Sequence, residues 1–164
     1  MFEDKPGIYT AKVADFGFST HFHGEQDLIK MPKSEPWNAP EYHDRYFYPQ
    51  GAKAMDVYSF SMLCLWLLFG VEISETMPYP SGAANDAGVF SFEARDWSRK
   101  GDLLLSWKRD WLLEWAIQLA AGDGRFTTEI GDGVTQFFRS SLCFNPQTRI
   151  TDWCRLLSFL GPAR

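Results

Sequence analysis

Residues 57–71 read VYSFSMLCLWLLFGV, fifteen positions without a charge between Asp56 and Glu72. This run constrains the fold more than any other part of the chain. A helical membrane span needs about 20 consecutive apolar residues, so the run is read as a buried core helix over about 54–70. Apolar side chains cover nearly its whole circumference, and other elements should therefore surround it. The rest of the chain can supply them. Of 164 residues, 45% are hydrophobic and 16% aromatic, including 7 Trp and 14 Phe. That composition excludes a disordered chain, and a chain of this length can bury roughly 70% of its unfolded surface.

The net charge is −5 and no Lys/Arg run occurs, so electrostatic capture of nucleic acid is not expected. Cys64, Cys143 and Cys154 show no paired spacing, which fits free thiols in a reducing, cytoplasmic (intracellular) setting. His21, His23 and His43 have no Cys or acidic cluster nearby to complete a zinc site. The opening MFEDKPGIYT has neither an apolar core nor an Arg-rich amphipathic pattern, and no membrane association is expected.

Residues 8–14 alternate like a strand, and DKPG before them signals a turn. Residues 19–38 mix polar residues, Pro and Gly and read as a loop. APEYHDRYF (39–47) is read as opening a short helix with Pro40 in its first turn. Residues 71–101 are rich in Pro, Gly, Ser and Asp and read as a loop-rich insertion. Helices are expected over about 103–160: one or two within 103–121 ending at Gly122, one over 132–144, and a last one after NPQTR, capped by Thr151. The fold class is mainly α with one short N-terminal β element.

Four segments carry the remaining signal: DFG at 15–17, APE at 39–41, MDVYSF at 55–60 and CFNPQTRIT at 143–151. In this order and spacing they resemble the C-terminal lobe of the eukaryotic protein kinase family, over nearly the whole chain. DFG opens the family's activation segment and APE closes it, giving 15–41 here. MDVYSF resembles the start of its large central helix, and CFNPQTRIT its closing motif. SEPWNAPE and DFGFS look closest to the serine/threonine or tyrosine-kinase-like groups.

The resemblance implies roles for single residues. Asp15 would coordinate Mg²⁺, a hard cation that takes carboxylate oxygens, and so bridge the phosphates of ATP. Phe16 would plug the loop, and Gly17 would allow backbone angles that a Cβ forbids. Glu41 and Arg149 would form an interior pair tying the activation segment to the helical core; a bidentate Arg–carboxylate pair fixes geometry as well as charge. Asp56 would accept backbone N–H bonds from a catalytic loop, or act simply as a carboxylate near a helix start. Ser34 and Trp37 would shape the loop that meets a protein Ser/Thr substrate. Ser19, Thr20 and Ser34 are candidate phosphorylation sites. Lys33, Tyr58 and Ser61 depart from the family's usual residues and weaken any statement about substrate preference.

Phosphoryl transfer also needs a Gly-rich loop, a Lys–Glu pair, a base Asp and a second metal ligand. No GxGxxG occurs, and HDR at 43–45 has the wrong order and follows APE. The expectation is a kinase-lobe fragment lacking the nucleotide-binding lobe and the catalytic loop, from a truncated product, a split gene or an incomplete gene model. By family it would phosphorylate protein Ser/Thr using ATP and Mg²⁺, but alone it should bind neither and be catalytically incompetent. The alternative is a non-catalytic, pseudokinase-like interaction module that docks partner proteins. A third reading, an unrelated helical domain, requires Glu41 and Arg149 to lie apart.

Overall fold

The computed structural model describes residues 2–5, 8–10, 17, 19–42, 46–76 and 111–161. Asp15, Phe16 and nearly all of the 71–101 insertion lie outside them. Among the described residues the protein is mainly helical.

Two small antiparallel ribbons accompany the helices. β1 (Phe2–Lys5) pairs with β2 (Ile8–Thr10), Phe2 opposite Thr10 and Lys5 opposite Ile8, with an irregularity between Glu3 and Lys5. The sequence suggested only the second of these strands, because the charges of β1 hide its pairing. β3 (Ile29–Lys30) pairs with β4 (Tyr46–Phe47). This corrects two expectations: residues 19–38 are not loop throughout, and no helix opens at Pro40. Residues 40–42 form a turn, and Tyr42 stacks on Phe47 with ring centroids 6.2 Å apart. Consecutive aromatic residues favour a pleated, half-buried strand.

α1 (Pro49–Thr76) is the long central helix. Pro49 suits its first position, where no N–H is needed and φ is already set. It begins earlier and runs further than the apolar pattern alone marks. Val57, Tyr58, Ser61, Met62, Leu65, Phe69 and Ile73 are buried, a stripe with helical spacing. Ser61 satisfies its hydroxyl inside this core by donating to Val57 O at 2.9 Å. Among the described residues the opposite side is not covered: Leu63 is 43% and Leu67 72% exposed. The described elements therefore bury the helix along one side, where the sequence suggested that elements surround it. α1 is also long and apolar enough over Pro49–Ile73 to cross a membrane by length and composition, and a little under half of that stretch is buried in the protein.

α2 (Leu112–Gly122) and α3 (Thr128–Ser141) form the most extensive helix pairing among the described residues. Thr127 caps α3 by accepting from Ile130 N at 3.4 Å. Glu129 in its first turn and Arg139 in its last complement the helix dipole. Val134, Phe137 and Phe138 face the core, and Phe138 meets Phe69 of α1 at 6.3 Å. A 3₁₀ turn (Pro146–Thr148) follows, capped by Asn145, and then α4 (Trp153–Ser158). Asp152, not Thr151, caps α4, accepting from Arg155 N at 3.1 Å. Thr151 instead accepts from Gln50 Nε2 at 3.1 Å. Gly133 admits the end of the chain: a Cβ there would stand 2.1 Å from Phe159 O.

Candidate functional site

One polar cluster joins residues 108 positions apart. Arg149 Nη1 donates to Glu41 Oε1 at 2.5 Å and Nη2 to Glu41 Oε2 at 2.9 Å. The Arg149 side chain is fully buried, and that of Glu41 is 17% exposed. A guanidinium has five N–H donors, and each finds an acceptor. Nε donates to Cys143 O at 2.9 Å, the second Nη1 hydrogen to Ala54 O at 3.2 Å, and the second Nη2 hydrogen to Phe144 O at 3.1 Å. The Tyr58 ring lies beneath, 4.7 Å from the guanidinium carbon. Burial pushes the Tyr58 phenol pKa upward, with Arg149 opposing, so the ring faces the cation as a neutral group. Three segments thus meet at one cation: the end of 19–42, the start of α1 and the chain after α3.

Beside this socket, residues 19–38 and the first turns of α1 enclose a cavity of about 500 Å³. Thr20, Ser34, Trp37, Lys53 and Asp56 line it, with Met55 in its floor. Ser34 heads a compact turn, its N–H donating to Asn38 Oδ1 at 2.7 Å while its carbonyl accepts from Trp37 N at 2.8 Å. Trp37 meets Trp66 of α1 edge to face, centroids 6.3 Å apart. The Lys53 ammonium sits 5.2 Å above the Phe22 ring. Asp56 keeps a solvent-facing side, yet the atoms packed around it raise its carboxyl pKa by desolvation.

The structure therefore brings Ser19, Thr20, Ser34, Trp37 and Asp56 to one cavity, and joins Glu41 to Arg149 outside it. Gly17 lies in an exposed turn. Ser19, Thr20 and Ser34 are exposed to solvent. Among the described residues no three His, Cys, Asp or Glu side chains converge on a point. Asp15, the residue the resemblance assigns to Mg²⁺, lies outside the described residues.

Sequence reasoning missed the carbonyl acceptors of Arg149, which are invisible in side-chain letters. It also missed a second arginine. Arg125, in the turn between α2 and α3, donates to Leu68 O of α1 at 2.9 Å and to Glu72 Oε1 at 3.0 Å. The only hint was an Asp two residues earlier in GDGR. No family model, no curated protein and no solved structure matches the chain.

Proposed function

We propose that the chain is the helical lobe of a protein-kinase-like scaffold, a fragment whose family activity would be ATP-dependent phosphorylation of protein Ser/Thr. One observation carries this reading: the bidentate Glu41–Arg149 pair, which ties the APE segment to the closing motif across the start of the central helix. An unrelated helical domain gives no reason for these two letters, 108 positions apart, to meet in the interior. The fragment on its own is catalytically incompetent in this reading, since its 164 residues hold no Gly-rich phosphate loop and no base Asp in a catalytic-loop pattern.

Thermal unfolding with and without Mg-ATP tests it. A ligand that binds only the folded state stabilises by RT ln(1 + [L]/Kd), about 2.7 kcal/mol at a hundredfold excess over Kd. The expected result is no shift at millimolar nucleotide. A clear rise, lost in Asp15→Ala, would establish a nucleotide site and overturn the incompetent-fragment reading.

A second reading is a non-catalytic module that docks a partner protein. The cavity supports it by its lining: the Trp37, Lys53 and Asp56 side chains border an open cavity of about 500 Å³ where a partner's side chain could enter. Asp56, Lys53 and Trp37 would make the contacts. Affinity capture with the wild-type chain and with a Trp37→Ala, Asp56→Ala variant separates the two. A partner retained by the first and lost by the second supports docking at this cavity, and equal retention counts against it.

A further inference from the structure

α1 is not one continuous helix. Phe69 has φ −129° and ψ 20°, outside the helical region. Sharp bends in helices have causes: a proline, a glycine, a bulge, or a group inserted into the i→i−4 ladder. Gly70 follows the bend, but a Cβ there would make only ordinary contact with Trp66, 3.8 Å away. No close approach at that position requires glycine.

A different group does act at the bend. In an unbroken helix Leu68 O would accept from the N–H of Glu72. Arg125 Nη2 donates to that same Leu68 O at 2.9 Å, and also to Glu72 Oε1 at 3.0 Å, so a side chain binds the ladder at the bend. The guanidinium carbon stands 5.9 Å from the Phe69 ring, against the bent residue itself. Asp123 holds the arginine in place, accepting from its backbone N–H at 2.8 Å, from Nε at 2.8 and 2.9 Å, and from Nη2 at 2.5 Å. That pairing depresses the Asp123 carboxyl pKa and raises that of Arg125. Phe69 is fully buried against Phe126 and Phe138, so the near side of the bend is anchored in the core.

We propose that the Asp123–Arg125 clasp is a hinge latch. It holds α1 bent at Phe69 and, together with buried Ile73, sets the direction of the helix over residues 70–76 relative to the rod over 49–68. The inference does not depend on the kinase-like reading. The latch is open on its arginine side: the Arg125 side chain is 57% and that of Glu72 35% open to water, while that of Asp123 is 10% open. It therefore yields to salt, which screens surface charge pairs, while the buried rod does not.

Hydrogen exchange of the full chain, read residue by residue along α1, tests it. Arg125→Gln should speed exchange of the amides at 70–76 by roughly three- to tenfold, with 57–65 unchanged, the scale of an exposed charge-assisted contact. Wild type in 1 M NaCl should show the same pattern to a smaller degree. Exchange at 70–76 that ignores Arg125→Gln would overturn the latch. Equal acceleration throughout α1 would also overturn it, by making Arg125 a support of the whole fold.

Discussion

Two arginines tie distant parts of this chain together in opposite ways. Arg149 is sealed in the interior, and all five of its N–H donors are accepted by Glu41 and three backbone carbonyls. Arg125 grips the bend of α1 from the surface, through a carbonyl and two carboxylates. The residue type and donor set are shared, and burial differs. A buried charge cannot fall back on water if a partner is removed, whereas an exposed one can. The first should therefore behave as a keystone of the fold, and the second as an adjustable local contact.

Unfolding by urea should separate them most clearly. Arg149→Ala or Glu41→Ala is expected to cost roughly 3–5 kcal/mol, because each strands its buried partner. The double variant should cost clearly less than the sum of the two singles. Additive losses would mean that the pair does not act as a unit, and the contrast with Arg125 would collapse.

A contact without charge gives the next step down. Helix propensity alone would make Gly133→Ala stabilising by about 1 kcal/mol. The close carbonyl of Phe159 reverses the sign, since a Cβ would stand 2.1 Å from it. A loss of roughly 1–3 kcal/mol is expected, the range for forced overpacking. A stabilised variant would show that the chain end does not press on α3.

Arg125→Ala should lower global stability by about 1 kcal/mol or less, and most of that difference should vanish at high salt. A loss as large as that of Arg149→Ala would erase the distinction between keystone and latch.

Cys64 lies on α1 between Ala54, held by Arg149, and Leu68, held by Arg125, on the rod side of the bend, and so separates a loss of the fold from a local release. Burial pushes its thiol pKa up to about 11 from an ordinary 9.0. At pH 8 a thiol reagent should label exposed Cys154 quickly and Cys64 slowly. Arg149→Ala should speed Cys64 labelling, and Arg125→Ala should not. The effect on stability near neutral pH is nil. The unfolded thiol ionises first as pH rises, so the Cys64 contribution is intact below pH 9.0 and is lost as pH climbs through about 11. A Cys64→Ser variant with an unchanged alkaline stability profile would remove this account.

The parts of the molecule legible in the sequence were those written in side-chain letters at helical spacing. The run at 57–71 marked α1, and the Val134, Phe137, Phe138 stripe marked α3. Glu41 and Arg149 were paired only by what the resemblance of APE and CFNPQTRIT to a family's motifs implies, since nothing in the letters alone joins residues 108 positions apart. What stayed hidden is backbone chemistry. The three carbonyls that complete the Arg149 socket, and the Leu68 carbonyl that receives Arg125, belong to residues whose side chains say nothing about them. The β3–β4 ribbon was hidden for a related reason: two residues per strand are too few to establish an alternating pattern. Thr151 and Asp152 are both good caps, and only the reach of Gln50 to Thr151 decides between them.

The separation of Glu41 from Arg149 has a consequence for how the chain is made. A growing polypeptide emerges from its amino end, so the carboxylate at 41 must wait for another 108 residues before its cation arrives. Contacts of such long range slow folding, because the intervening loop must close before they reward it. Until then the Glu41 carboxylate stays open to competing partners. Nascent chains stalled short of position 149 should therefore be prone to chaperone capture, and release past that point should coincide with compaction.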